Sequence, residues 1–241
     1  SRANTSGYNG IAIGSYAQAP GDNSMAQGYH STSAGANSIA HGHNANSSGN
    51  SSIAIGNRAE ANALVALAIG FKTTADGEGS TALGVGTTTL LRDSFTALQS
   101  GDASLPGKLQ TGVQVMQGAS VGGAAVALTA DGEAATATNT MPLQVGSVLS
   151  LDHVTAVATS SAGDYITFSL VGGILVRPTD EASTVIGTAS PAFSTVAASG
   201  GAAGATLTYI ANTTFSGWTP TFTPPALNTD NWSAGLYAWV T

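Results

Sequence analysis

Ile53-Ala-Ile-Gly-Asn-Arg-Ala-Glu-Ala-Asn-Ala-Leu-Val-Ala66 is followed at once by Leu67-Ala-Ile-Gly70, and the same kind of tetrad opens four other stretches of equal length. Ile11-Ala-Ile-Gly14, Met25-Ala-Gln-Gly28, Ile39-Ala-His-Gly42, Ile53-Ala-Ile-Gly56, Leu67-Ala-Ile-Gly70 and Thr81-Ala-Leu-Gly84 recur every 14 residues. Small residues keep fixed places behind them. Ala17, Ser31, Ala45, Ala59, Thr73 and Thr87 stand three positions after the tetrad Gly, and Ala19, Ser33, Ser47, Ala61 and Ala75 two positions further on. Each coil then turns at Gly21, Gly35, Gly49, Ala63 or Gly77. A fixed period of this kind marks a repeat architecture. So short a strand cannot bury its own apolar side and is stable only when stacked on its neighbours. At about 4.8 Å per coil, six coils make a rod about 29 Å long. Alternation puts Ala12 and Gly14 on one side, where they fit a cramped lumen, and Ile11 and Ile13 on the other. The large side chains need a second apolar surface, which an oligomer supplies.

Composition agrees with β structure. Charged residues are 8% of the chain, against about 25% in ordinary globular domains. Gly numbers 31, and the good helix formers Lys, Arg and Glu are scarce. A net charge of −7 with six Lys and Arg leaves too few cations to neutralise a run of phosphates, which argues against nucleic acid as a partner. With no Cys there is neither a disulfide framework nor a thiolate site. No apolar run approaches the ~20 residues of a spanning helix, so membrane insertion is not expected. The chain opens at Ser1 without a signal-peptide pattern and reads as a processed or excised piece.

Residues 5 to 88 resemble the left-handed β-roll head of YadA-like trimeric autotransporter adhesins, whose repeats also read Ser-x-Ala-Ile-Gly, then Ala-x-Ala and a Gly/Asn turn. The same roll occurs in phage tail fibres. The resemblance implies a parallel homotrimer with the large residues Ile13, Ile55 and Ile69 near the threefold axis. Gln27 and His41 depart from the pattern, placing polar groups at that axial, trimer-interface position.

Three domains follow: a YadA-head-like β-roll over 1–88, a neck or connector over 89–112 and an antiparallel β-sandwich over 113–241. In the connector Leu90, Leu91, Phe95, Leu98 and Leu105-Pro106-Gly107 break the period, with a helical turn expected around Ser94 to Gln99. Beyond it, alternating stretches predict strands at Val121 to Thr129, Val145 to Leu151, His153 to Thr159, Tyr165 to Val171, Gly173 to Val176, Thr206 to Asn212 and Ala234 to Thr241. Leu128-Thr-Ala-Asp-Gly132, Asn139 to Leu143, Ala162 to Phe168, Gly172 to Arg177 and Asn231 to Val240 resemble a domain common at the C-terminal ends of phage tail proteins. The chain ends straight after a strand without an anchor barrel, which favours phage over autotransporter.

His41-Gly42-His43 sets two imidazoles two residues apart. On one side of a strand, in three chains, they would bring six nitrogens to an axis and hold a transition metal; some phage tail trimers resemble this, using His-x-His for iron. Alternatively Gly42 ends the strand, His43 turns outward and His41 packs beside Gln27, and no cofactor is held. Tyr8, Tyr16, Tyr29, Trp218, Trp232, Tyr237 and Trp239 are candidates for stacking on sugar rings. Tyr237 and Trp239 alternate within one strand and read rather as core or interface. Trp218, between Gly217 and Thr219-Pro220, reads as loop and as the exposed receptor-binding candidate, with Tyr16 and Tyr29 beside it. Asp76-Gly-Glu78 and Asp131-Gly-Glu133 lack the ligand number of a Ca²⁺ loop and read as turns. Asn46 and Asn50 stand in Asn-x-Ser contexts and read as turn residues. The acids of the roll, Asp22, Glu60, Asp76 and Glu78, lie on separate coils, and no nucleophile elbow or phosphate loop occurs, so no enzyme is expected.

The sequence therefore reads as an all-β, homotrimeric receptor-binding segment of a phage tail fibre. Its partners would be a bacterial surface receptor (a glycan or an outer-membrane component) and other tail proteins, and its place the extracellular virion tail. The alternatives are the passenger head of a trimeric autotransporter adhesin at the bacterial cell surface and a non-binding spacer.

Overall fold

The computed structural model describes residues 2–89, 92–99, 111–135, 140–142, 148–176, 185–186, 193–212, 217–226 and 229–240. The chain divides into two units, Ser1–Gly112 and Val113–Thr241. Apart from one 3₁₀ turn at Gly200–Ala202, every described element is a strand. The connector residues Leu90, Leu91 and Leu105 to Gly107, and Asn139, Leu143 and Arg177, lie outside the described residues.

The first unit is a parallel β-solenoid. Its tetrad sheet stacks Ile11–Ile13, Met25–Gln27, Ile39–His41, Ile53–Ile55, Leu67–Phe71, Thr81–Val85 and Phe95–Gln99. Its return sheet stacks Asn4–Thr5, Gln18–Ala19, Thr32–Ser33, Asn46–Ser47, Glu60–Ala61 and Thr74–Ala75. Each rung lies in register on the next, Ala26 on Ala40 on Ala54 on Ala68 on Ala82. The lumen is lined from one side by those alanines and from the other by Ala19, Ser33, Ser47, Ala61 and Ala75, all fully buried. Small side chains suit these two columns, because the two sheets face each other across a single layer of methyl and hydroxymethyl groups.

The structural unit is half the sequence period. Left-handed residues fall at Asn9, Tyr16, Asn23, His30, Asn37, Asn44, Ser51, Arg58, Val65 and Lys72, seven apart, and Gly79 and Gly86 continue the series. Every coil is two similar heptads, each a short strand closed by one αL residue, which turns the chain back toward the other sheet. Asn suits that conformation better than most L-residues do. Where it recurs at one edge it forms a side-chain ladder, Asn9 Nδ2 donating to Asn23 Oδ1 at 3.1 Å and Asn23 Nδ2 to Asn37 Oδ1 at 3.3 Å.

The helical turn expected around Ser94 to Gln99 is instead a seventh rung. Phe95–Gln99 pairs in parallel with Thr81–Val85, Thr81 opposite Thr96 and Leu83 opposite Leu98, a spacing of 15 rather than 14. The added residue falls between Thr89, still near its 14-residue partner, and Arg92, whose carbonyl meets Gly77. The shift brings Phe95 to the place held by Ser80 one coil earlier. There it is buried, with the Arg92 guanidinium 4.8 Å from its ring centre. Burial pushes the Arg92 pKa down to about 10.

The second unit is antiparallel and two-layered. One sheet runs Thr111–Ser120, Trp232–Val240, Val148–Ser160, Tyr165–Val176, Val185–Ile186, with Ser194–Ala198 also on Tyr165–Val176. The other holds Val126–Ala127, Gly217–Thr223 and Met141–Pro142, with Thr206–Asn212 against Gly217–Thr223. Phe222 of the second sheet lies 6.4 Å from Phe168 and 5.7 Å from Trp232 of the first, ring centre to ring centre. That aromatic contact is the core. Two pairs of expected strands are each one long strand, Val148–Ser160 passing a register shift between Leu151 and His153, and Tyr165–Val176 running through Gly172. Of the strand expected over Val121 to Thr129 only Val126–Ala127 forms, and the long strand before it, Thr111–Ser120, was not expected.

Lumen hydroxyls come in matched pairs. Ser38 Oγ donates to Gly35 O at 2.6 Å, so Ser33 Oγ, 2.6 Å away, donates to Ser38; Ser47 and Ser52 repeat this. In the next coil both positions are alanine, Ala61 and Ala66. Ser38→Ala leaves a buried Ser33 hydroxyl without its acceptor and is expected to cost about 1–3 kcal/mol. Ser33→Ala with Ser38→Ala is expected to cost less than Ser38→Ala alone, as a double-mutant cycle in denaturant will read. Backbone packing is stricter. At Gly56 a Cβ would sit 2.0 Å from Gly70 O on a backbone with φ +131°, so Gly56→Ala is expected to lose more than about 3 kcal/mol in the same unfolding measurement. Ala63→Gly, at the other edge, is expected to change stability by under about 1 kcal/mol.

Candidate functional site

The outer faces of the roll differ in chemistry. Ile13, Gln27, His41, Ile55, Ile69, Leu83 and Leu98 form one column of the tetrad sheet, rung on rung. Ile13 is 54% exposed and Leu98 43%, more than large aliphatic side chains usually leave to water. Ile11, Met25, Ile39, Ile53 and Leu67 flank them. The return sheet turns out Gln18, Thr32, Asn46, Glu60 and Thr74 instead. One face is an apolar stripe and the other is polar.

The polar break in that stripe is a bonded pair. His41 Nδ1 lies 3.1 Å from Gln27 Oε1; an amide oxygen only accepts, so Nδ1 carries the proton. His43 does not join it. The strand ends at His41, Gly42 takes φ 136°, and the His43 ring stacks on Tyr29 at 5.3 Å. Within one chain the two imidazoles thus lie apart, His41 on the tetrad sheet and His43 on the adjoining edge. Among the described residues no three His, Cys, Asp or Glu side chains gather where one ion would be held.

Tyr16 and Tyr29 belong to a ring cluster at one edge of the roll, where the chain passes from tetrad strand to return strand. Tyr16 stacks on His30 at 4.6 Å and 17°, and Tyr29 on His43 at 5.3 Å and 18°. Tyr29 meets Tyr16 at 6.0 Å and His30 at 4.5 Å edge to face. The pairs stack along the coil axis, so each tyrosine has one face covered by a histidine while both stay half-exposed. Backbone bonds hold the rows together, His30 N to Ser15 O, Asn44 N to Tyr29 O and Arg58 N to His43 O, at 2.9–3.0 Å. The same edge continues to Arg58 and Lys72, the latter 5.5 Å from the Phe71 ring centre. Sequence reading named the two tyrosines and missed His30, Arg58 and Lys72. Writing the chain in rows of 14 puts Tyr16, His30, Arg58 and Lys72 in one column, and that column was the available signal.

The other candidates separate. Trp218 is not in a loop: it lies within Gly217–Thr223, opposite Met141 on one side and Ala211 on the other, and its side chain lies outside the described residues. Tyr237 and Trp239, 5.8 Å apart, line the exposed face of Trp232–Val240 and are not core in this chain. Trp232, on the opposite face, is buried. Asp76 Oδ1 accepts from Asn62 Nδ2 at 2.7 Å, Asp131 Oδ1 from Glu133 N at 3.0 Å, and Asn50 Oδ1 from Ala36 N at 3.0 Å, so these groups fix turns and coil stacking.

Comparison with protein-family models finds matches at residues 1–17, 5–31, 19–45, 33–59 and 66–87, three of them starting 14 residues apart. The coils match the YadA head domain repeat. The YadA head match covers about a third of the chain and lies wholly within the solenoid. No curated protein matches. Among solved structures the tailspike protein of Acinetobacter phage vB_ApiP_P1 aligns over 89% of this chain at 9% identity and a TM-score of 0.29. This chain spans 49% of the tailspike's length, and a likeness that low carries no argument.

The ring cluster makes a measurable contribution to the stack. Tyr29 touches three of the other rings, so Tyr29→Ala is expected to lower unfolding stability by about 1–3 kcal/mol. Tyr8→Ala, at a ring 76% exposed, is expected to stay within about 0.5 kcal/mol. Thermal melts of both variants check it.

Proposed function

We propose that this chain is a non-enzymatic, homotrimeric segment of an adhesive fibre that attaches a phage tail to a bacterial surface. The observation that carries the reading is the roll of YadA head repeats whose tetrad sheet turns outward an apolar stripe broken at Gln27 and His41. An exposed stripe of Ile, Met and Leu along a rod needs a cover of equal length. Identical chains set parallel about one axis supply it, because every column then meets its own copy at the same height. The second unit also exposes large apolar side chains, Tyr237, Trp239, Val157 and Val171, beside His153, Thr155 and Thr159 on the outer face of its larger sheet. In such a trimer Gln27 and His41 form a polar layer between Ile13 and Ile55 that fixes register. The placement in a phage tail rests on the likeness of the C-terminal motifs to phage tail proteins. The YadA repeat itself favours a second reading, the head of an autotransporter adhesin, and a membrane-anchor barrel encoded downstream would decide for it.

Light scattering coupled to size exclusion tests the assembly. The intact chain is expected at about three times 23.7 kDa, and Ile55→Glu with Ile69→Glu is expected to shift it to the monomer. Fluorescently labelled trimer is expected to decorate susceptible cells and to release no reducing ends from their surface polysaccharide. A monomeric wild type, or cells left unlabelled by intact trimer, overturns the proposal.

A further inference from the structure

The charge on the roll is sorted by edge. Arg58 and Lys72, two of the six Lys and Arg in a chain of net charge −7, stand at the edge that carries Tyr16, Tyr29, His30 and His43. No acid occurs in the two columns of that edge, which run from Ser15 and Tyr16 to Val85 and Gly86. Asp22, Glu78 and Asp93 lie on the opposite edge, where Asp22 and Asp93 carboxylates accept backbone N–H bonds at 2.8 Å. Glu60 lies in the return sheet, and Asp76 follows the return strand Thr74–Ala75. The two outward cations Arg58 and Lys72 thus share an edge free of acids, while Arg92, beside Asp93, is buried.

The stacking of the rings sets what the edge can recognise. With one face of each tyrosine stacked on a histidine, the edge offers phenol O–H and imidazole N–H donors together with a guanidinium and an ammonium that can only donate. The complementary ligand is rich in acceptors and negatively charged. Its groups must also repeat, because the donors advance by one coil, about 4.8 Å, per row, close to the advance of one pyranose along an extended polysaccharide. Two cations with neutral donors suit one charge per sugar or per few sugars, and fall short of the charge on every residue of a nucleic acid.

We infer that this edge of the roll, from Tyr16 to Lys72, binds an acidic linear polysaccharide through its carboxylate or phosphate groups. The inference deepens the proposed attachment role by naming the ligand class and the surface, and it rests on that role for its setting.

Fluorescence anisotropy with labelled oligogalacturonate and oligosialate, with a neutral malto-oligosaccharide of equal length as control, tests it on the full chain. Both or one of the acidic probes binds, the neutral one does not, and added salt weakens the binding. Arg58→Glu with Lys72→Glu, two exposed or half-exposed side chains outside the lumen, lowers affinity at least about tenfold while melting temperature and mass by light scattering stay unchanged. Tyr16→Phe with Tyr29→Phe keeps the stacked rings, removes both hydroxyls and weakens binding too. Absence of binding to either acidic probe, equal affinity in the charge-reversed variant, or equal binding of an oligothymidylate overturns the inference. Cell attachment separates it from the wider reading: wild type and charge-reversed protein labelling cells alike refutes the edge alone, whereas wild-type trimer that labels no cells refutes the attachment role.

Discussion

The approach of backbone to backbone at the tetrad glycine governs the first unit. At Gly14, Gly28, Gly42, Gly56 and Gly70 the next coil's carbonyl comes so near that no Cβ can be interposed. The chain there adopts φ between 125° and 137°, which glycine alone tolerates cheaply. Coil pitch, lumen width and the aim of the next strand all follow. Alanine and serine line most of the interior because two sheets drawn this close leave little room for larger side chains. Stability then comes from many small, fully buried contacts and an unbroken ladder of hydrogen bonds, as expected of a solenoid in which each repeat leans on its neighbours.

A lumen filled with methyl groups moves the large apolar residues outside. In most proteins such side chains are the interior, and here they are the face left for others. The return sheet, with the same backbone geometry, carries Thr, Asn, Gln and Glu. Two surfaces of one rod are thus specialised by side chain alone, and the edges between them are specialised again, one cationic and ringed, the other acidic.

The roll was legible in the sequence because residue type and spacing agree over six rows. Three features were hidden. The half-period of seven escapes a search for like residues, since the strands of one heptad are apolar and those of the next polar; only the small residues and the αL positions repeat in both. The seventh coil is masked by the residue added after Thr89 and by Gln99 standing where the tetrads have Gly. In the second unit Thr111–Ser120 hides because its inward residues are Gly112, Gln114, Met116, Gly118 and Ser120, while Val113 and Val115 face outward, so its alternation reads backwards. Candidate site residues fared unevenly for a related reason. A column of ring and cation is plain when the coils are aligned, but the stacking of tyrosine on histidine is a matter of rotamer and pitch that no spacing encodes.

The heptad construction limits how such a rod can change length. Gain or loss of one heptad would satisfy every local demand, with a strand, a small lumen residue and an αL turn all in place. It would nonetheless carry all later coils half a turn round, so that apolar strands joined the polar face and the cationic edge changed sides. Backbone geometry alone has no means of rejecting that error. Whole coils are therefore the only increments that leave the surfaces continuous, and the rod's length is counted in turns although its backbone is built in halves.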